Sequence, residues 1–145
     1  MAPHGKACHN ILVHAHRADS PWHDAAAARL REVSASAWGI PWPCIHEFLA
    51  IVTHPRIFDP PTPAALALDT AAVWVQAPNV VLLAEQPGYW DVLRDLLRQS
   101  RITGPRVHDA RVAALCLLHA VDVLWTADRD FSRFGGLRVR NPLVA

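Results

Sequence analysis

The chain has 145 residues, 52% of them hydrophobic, and a formal net charge of +1. That length suits one domain, residues 1–145, with a core of its own. Polar residues break every apolar run well before the ~20 residues a membrane span needs. Residues 1–6 lack the apolar segment of a secretion signal, and the three cysteines, Cys8, Cys44 and Cys116, are too scattered for a disulfide framework, so the expectation is a cytoplasmic protein with reduced thiols.

In chain order, His4 to His9 is poor strand material, and Asn-Ile-Leu-Val-His-Ala at 10–15 reads as the first strand. Ser20 and Pro21 form a cap and first-turn pair for a helix through about residue 33, with Asp24 near its positive end. Trp38 to Pro41 is a brief strand. Pro43 opens a helix to Val52, with Ile45, Phe48, Leu49 and Val52 at helical spacing on one face and Glu47 beside it. Thr62-Pro63 starts another helix, which ends before Pro78. Asn79 to Leu83 is a strand. Pro87 begins a helix with Trp90, Leu93, Leu96 and Leu97 inward and Arg94, Asp95 and Arg98 outward. Residues 106–120 form an apolar helix. Val121 to Trp125 is a strand, followed by another at Leu137 to Val139.

Short apolar strands thus alternate with helices, and the prolines fall at helix starts or turns. This pattern predicts an α/β fold with a mainly parallel central sheet flanked by helices. The runs at 10–15, 80–83 and 121–125 should share that sheet.

Chemistry gathers on the acids. Thr126-Ala127-Asp128-Arg129-Asp130-Phe131 follows an apolar strand, and ligands of open α/β sheets bind beyond the carboxyl ends of strands. Glu47 and Asp109 sit in similarly apolar settings. Glu47, Asp109 and Asp128, with Asp130 as a further candidate, could converge on Mg²⁺ or Mn²⁺, which favour hard oxygen ligands. Such an ion can lower the pKa of a bound water and offset charge on a phosphate under in-line attack. Taken singly, each acid also has a plain structural reading: Asp109 against a helix dipole, Asp128 as a cap, Glu47 as a solvated helix residue.

From Arg94 onward nine arginines face five acids, a net +4, against −3 before it. The arginines read equally as a nucleic-acid surface or as solvated helix faces. A zinc site from Cys8-His9, His14-x-His16 and Cys44-x-His46 lacks the spacing of structural zinc motifs. Trp90 and Trp125 fit the core pattern, and Trp42, between prolines near Glu47, is the best candidate for an exposed ring.

Six stretches carry a family resemblance, in order along nearly the whole chain. They are Ala15-His16-Arg17-Ala18-Asp19-Ser20-Pro21, Pro41-Trp42-Pro43 through His46-Glu47-Phe48-Leu49, Ile51-Val52-Thr53-His54-Pro55-Arg56-Ile57-Phe58, Val107-His108-Asp109-Ala110, Thr126 to Phe131, and Asn141-Pro142-Leu143. Together they resemble a PIN-domain ribonuclease of the VapC toxin type. The resemblance implies a Mg²⁺-dependent RNase site built from Glu47, Asp109 and Asp128, with RNA as substrate. It also implies a cognate antitoxin over the site and a homodimer beneath. One position departs from the family pattern. Similar proteins end their first strand in Asp-x-Asn, and counting back from Asn10 puts Cys8 at the acid. Cysteine is a soft ligand and does not replace a carboxylate for Mg²⁺. The alternative is therefore a weakened or inactive PIN-like domain that still binds its antitoxin.

Overall fold

The computed structural model describes residues 5–144. A five-stranded sheet runs in the order β3-β2-β1-β4-β5, and every pairing is parallel. Its strands are β1 (Lys6–Cys8), β2 (Trp38–Pro41), β3 (Val80–Leu83), β4 (Val123–Trp125) and β5 (Val139–Arg140). Six helices connect them: α1 (Ile11–His16), α2 (His23–Val33), α3 (Trp42–Val52), α4 (Ala64–Val75), α5 (Tyr89–Ser100) and α6 (Val107–Leu118). Short 3-10 turns at Gly104–Arg106 and Arg129–Arg133 complete the order. The mainly parallel sheet flanked by helices matches the sequence reading. Among the described residues, no helix is long and apolar enough to cross a membrane.

The first strand is the main correction. Residues 10–15 are not a strand, because Ile11–His16 is a helix. The central strand is instead Lys6–Cys8, within the stretch read as poor strand material. Ala7 and Cys8 are completely buried there, with Cys8 opposite Trp125 and Ala7 opposite both Gly39 and Leu124. Lys6 begins the strand without a buried charge, since its ammonium lies 5.4 Å from the centre of the Trp125 ring. Ile11, Leu12 and Val13 are all buried on the short helix that follows. Three successive buried residues carry neither a period of two nor one of 3.6, so they do not distinguish strand from helix.

The later elements lie close to their expected places. Pro43 stands in the first turn of α3, where its missing N–H costs no helical bond. The helix foreseen at Ser20 starts later, at His23. Ser20 Oγ instead accepts from the Trp22 amide and pairs with His14 Nδ1 at 2.8 Å. Trp90 is a second correction. It is 65% exposed at the start of α5, while Leu96 is buried from the same helix. Trp38, Ile40, Leu83, Leu124 and Trp125 are buried from the sheet, as expected when helices cover both faces of parallel strands.

Candidate active site

Four segments meet at the carboxyl edge of β1 and β4. The backbone leaves β1 at His9, whose amide donates to the Trp125 carbonyl at 3.0 Å, so the parallel pairing continues one residue past the strand. Asn10 follows. Its Oδ1 accepts from the Ala127 amide at 2.9 Å and lies 3.2 Å from Thr126 Oγ1. Thr126 Oγ1 in turn accepts from the Asp128 amide at 3.0 Å. The loop that carries Asp128 is therefore pinned from β1 by side-chain bonds.

Asp128 caps the 3-10 turn at 129–133, with its Oδ1 accepting from the Asp130 amide at 2.9 Å. Asp130 turns toward Arg106, whose Nη2 is 2.8 Å from Asp130 Oδ2. That pair bridges the start of α6 to the loop. Asp109 stands in the first turn of α6, where an acid opposes the helix dipole. Glu47 lies in the middle of α3, and its Oε2 is 3.1 Å from His9 Nε2.

The electrostatics link these acids. Burial first, then the charge of Asp128 and more weakly that of Glu47, hold the Asp109 proton more tightly than a free carboxyl would. His9 and Arg106 oppose that effect. Glu47 moves the other way: the hydrogen bond from His9 lowers its pKa against the opposing effect of burial. Asp109 is thus within electrostatic reach of both Asp128 and Glu47, although the three come from separate elements. Asp130 is the odd one out, committed to Arg106.

Two hollows flank the cluster. One of about 260 Å³ is lined by Pro43, His46, Glu47, His108, Arg111 and Val112. The other, about 400 Å³, lies beyond β4 and β5 against Asp128, Arg129, Ser132 and Asn141. Trp42 is not a free ring beside them. It is half-buried against the core and stacks on His46 at 6.3 Å.

Cys8 lies beneath this edge, fully buried, its thiol pushed up to about 12 by burial. It therefore brings no negative charge. Cys44 on α3 and Cys116 on α6 are also buried, and all three thiols are free. The Cys44 thiol is raised well above its ordinary value by burial first, then by Cys116, Glu47 and Cys8. Scattered in sequence, the cysteines converge below the acids.

Magnesium is the ion the resemblance implies for Glu47, Asp109 and Asp128. The side chains as arranged do not fit it. Among the described residues, no group of three or more His, Cys, Asp or Glu is placed to hold a metal ion, which also removes support from the zinc reading. A buried neutral thiol occupies the position of the first-strand acid, and Glu47 is already bonded to His9.

Sequence reasoning overlooked His9 as a partner of Glu47, as well as the roles of Asn10, Thr126 and Arg106. Only Asn10 left a signal, as the last residue of the degenerate Asp-x-Asn. The partners of His9 lie 38 and 117 residues away, beyond any local pattern.

The PIN domain family matches residues 9–137, beginning just after Cys8. Ribonuclease VapC48 of Mycobacterium tuberculosis is 32% identical over 135 residues, covering 92% of this chain and 93% of that protein. The VapC ribonuclease Mb2897 of Mycobacterium bovis is 32% identical over 136 residues, covering 92% of each. Among solved structures, VapBC2 from Rickettsia felis bound to a promoter DNA fragment aligns with a TM-score of 0.66 at 17% identity, over 94% of this chain and 98% of that one. Mycobacterium tuberculosis VapC20, a toxin that cleaves the sarcin-ricin loop, aligns with a TM-score of 0.66 at 15% identity, over 92% and 98%. With this edge of acids on a parallel sheet and these relatives across nearly its whole length, the chain belongs to the PIN-domain family, within its VapC group.

Proposed function

We propose that this chain is a cytoplasmic RNA-cleaving toxin of the VapC kind, paired with a cognate antitoxin, and that its cleavage is weak. The observation that carries the reading is the response of Asp109 to Asp128 and Glu47. The carboxylates of Glu47 on α3 and Asp128 after β4 both act on that of Asp109 on α6, at the carboxyl edge of a parallel sheet, where α/β proteins take ligands. The relatives, ribonucleases and a VapBC complex among them, support RNA as substrate and an antitoxin as partner.

Mg²⁺ or Mn²⁺ is the proposed cofactor, and Glu47, Asp109 and Asp128 are the residues that would take it once Glu47 is released. With Cys8 neutral and Glu47 engaged, that donor set is not assembled. The same two observations favour a second reading, an inactive domain that keeps its antitoxin. Exposed Leu66, Leu68 and Val73 on α4, and Trp90 on α5, supply apolar surface for protein partners, including a second copy of the chain. The arginines near the site, Arg111 and Arg129 among them, offer partners for an antitoxin's acids.

The test is cleavage of total cellular RNA by the purified protein with and without Mg²⁺, alongside Cys8→Asp and Asp109→Asn. Weak Mg²⁺-dependent cleavage, modestly raised by Cys8→Asp and removed by Asp109→Asn, supports the toxin reading. No cleavage by either the original or Cys8→Asp, with the antitoxin still co-eluting in size-exclusion chromatography, supports the inactive reading. Equal cleavage by all three assigns the activity to a contaminant.

A further inference from the structure

The ring of His9 stands between the acids. It is 4% exposed, with Nδ1 2.9 Å from Thr126 Oγ1 at the end of β4 and Nε2 3.1 Å from Glu47 Oε2 on α3. Its face is covered by Phe131, with ring centroids 4.9 Å apart. Both nitrogens are thus engaged and the ring is held from a third side. An imidazole has no torsion beyond χ2, so it cannot leave Glu47 while keeping Thr126.

The hydrogen-bond count sets the direction of these contacts. Thr126 has one hydroxyl proton and two neighbours that could accept it, His9 Nδ1 and Asn10 Oδ1. If the proton goes to Nδ1, the ring carries its own proton on Nε2. Whichever neighbour takes it, an ionised carboxylate only accepts, so the proton between His9 Nε2 and Glu47 Oε2 belongs to Nε2. In both arrangements Nε2–H donates to Glu47. The N–H takes Glu47 Oε2 and fixes the direction of the carboxylate, so an ion that needs both oxygens competes with it for Oε2.

We propose that His9 is an internal occupant of the acid site, a positioning residue that ties Glu47 to the end of β1 and keeps its Oε2 out of a divalent-ion shell. The inference rests on the reading of this edge as a VapC-type acid site. Residues 8 and 9 act together in it. Cys8 removes a carboxylate from the strand end, and His9 supplies the N–H that holds a remaining one. Restoring an acid at position 8 alone therefore leaves Glu47 tied. Opening the site takes a change at both positions.

The experiment measures Mn²⁺ binding by titration calorimetry on the full chain and on Cys8→Asp, His9→Val, the double variant and Cys8→Asp/His9→Gln. Cys8→Asp is expected to gain little over the original. The double variant with valine is expected to bind at least tenfold more tightly than Cys8→Asp. Glutamine can still donate to Glu47, so Cys8→Asp/His9→Gln should stay near Cys8→Asp. A Cys8→Asp protein that binds Mn²⁺ as tightly as the double variant overturns the proposal. A second measurement reads the bond without relying on those variants folding. Glu47→Gln should move the ¹⁵N resonance of His9 Nε2, and an unmoved resonance also overturns it. Metal affinity is separate from cleavage: a double variant that binds Mn²⁺ tightly but leaves RNA intact defeats the ribonuclease reading and spares His9.

Discussion

Asn10 and Ala127, 117 positions apart in sequence, are joined by a 2.9 Å hydrogen bond from the Ala127 amide to the Asn10 carboxamide oxygen. Through it the end of β1 fixes the backbone just ahead of Asp128. Asn10→Ala leaves a half-buried amide without its acceptor, which costs about 1–3 kcal/mol. Urea unfolding should show that loss, and hydrogen exchange at Ala127 should accelerate. Unchanged exchange at Ala127 would mean the loop is held by the sheet alone.

Asp109 carries a proton more tightly in the folded protein than in the unfolded chain. The stability it contributes is complete below the ordinary carboxyl range and is lost as pH rises through its higher folded value. At neutral pH the ionised carboxylate is therefore a net cost. Asp109→Asn should raise the thermal unfolding midpoint at pH 7 while removing any RNA cleavage. A lowered midpoint would contradict the cost assigned to burial and, after it, to the charge of Asp128.

Arg106 lowers the Asp109 proton affinity and holds Asp130 at 2.8 Å. Arg106→Gln should raise the Asp109 pKa further, as followed by the carboxyl ¹³C resonance in an NMR titration. No upward movement would show that Arg106 acts on Asp130 alone.

Acid should loosen the α1 end of the molecule. Burial lowers the proton affinity of His14 and of His16, aided for His16 by Arg17 and His23. The unfolded chain binds these protons more readily, so their stabilising effect is full above the ordinary value of 6.5 and falls as pH drops through their lower folded values. Stability measured from pH 7 down to about 5 should decline, given the ordinary histidine range. His16→Gln, which can still reach Thr62, should flatten the decline. An equal slope in that variant would place the effect elsewhere.

All three cysteines are buried, and their thiols are raised by burial. A disulfide reagent such as dithionitrobenzoate should find no reactive thiol in the native protein and three after denaturation, because the thiolate is the reacting form. Rapid reaction of any native thiol would contradict the packing of β1, α3 and α6.

The sheet and most helices could be read from proline positions and apolar periodicity, as the close agreement for α3, α4 and β3 illustrates. Lys6–Cys8 was hidden because a three-residue strand offers no alternation and begins with a lysine, whose ammonium lies over the Trp125 ring. Trp90 misled for a different reason. It stands at helical spacing from Leu93 and Leu97, but the side of the first turn that packs against the core carries Tyr89 instead. At the site, the acids could be picked out by their apolar settings. His9 could not, because its meaning depends on Glu47 and Thr126, which approach it only in the folded chain.

β1 is the central strand, and its neighbour β4 begins at Val123, more than a hundred residues later. During synthesis, β1 leaves the ribosome with one flank empty until Val123–Trp125 has been made. The His9–Thr126 and Asn10–Ala127 bonds cannot close before then. A product that stops before Thr126 lacks both bonds and the loop that carries Asp128, so the edge where the acids gather forms late, after β1, β2 and β3 can already have paired.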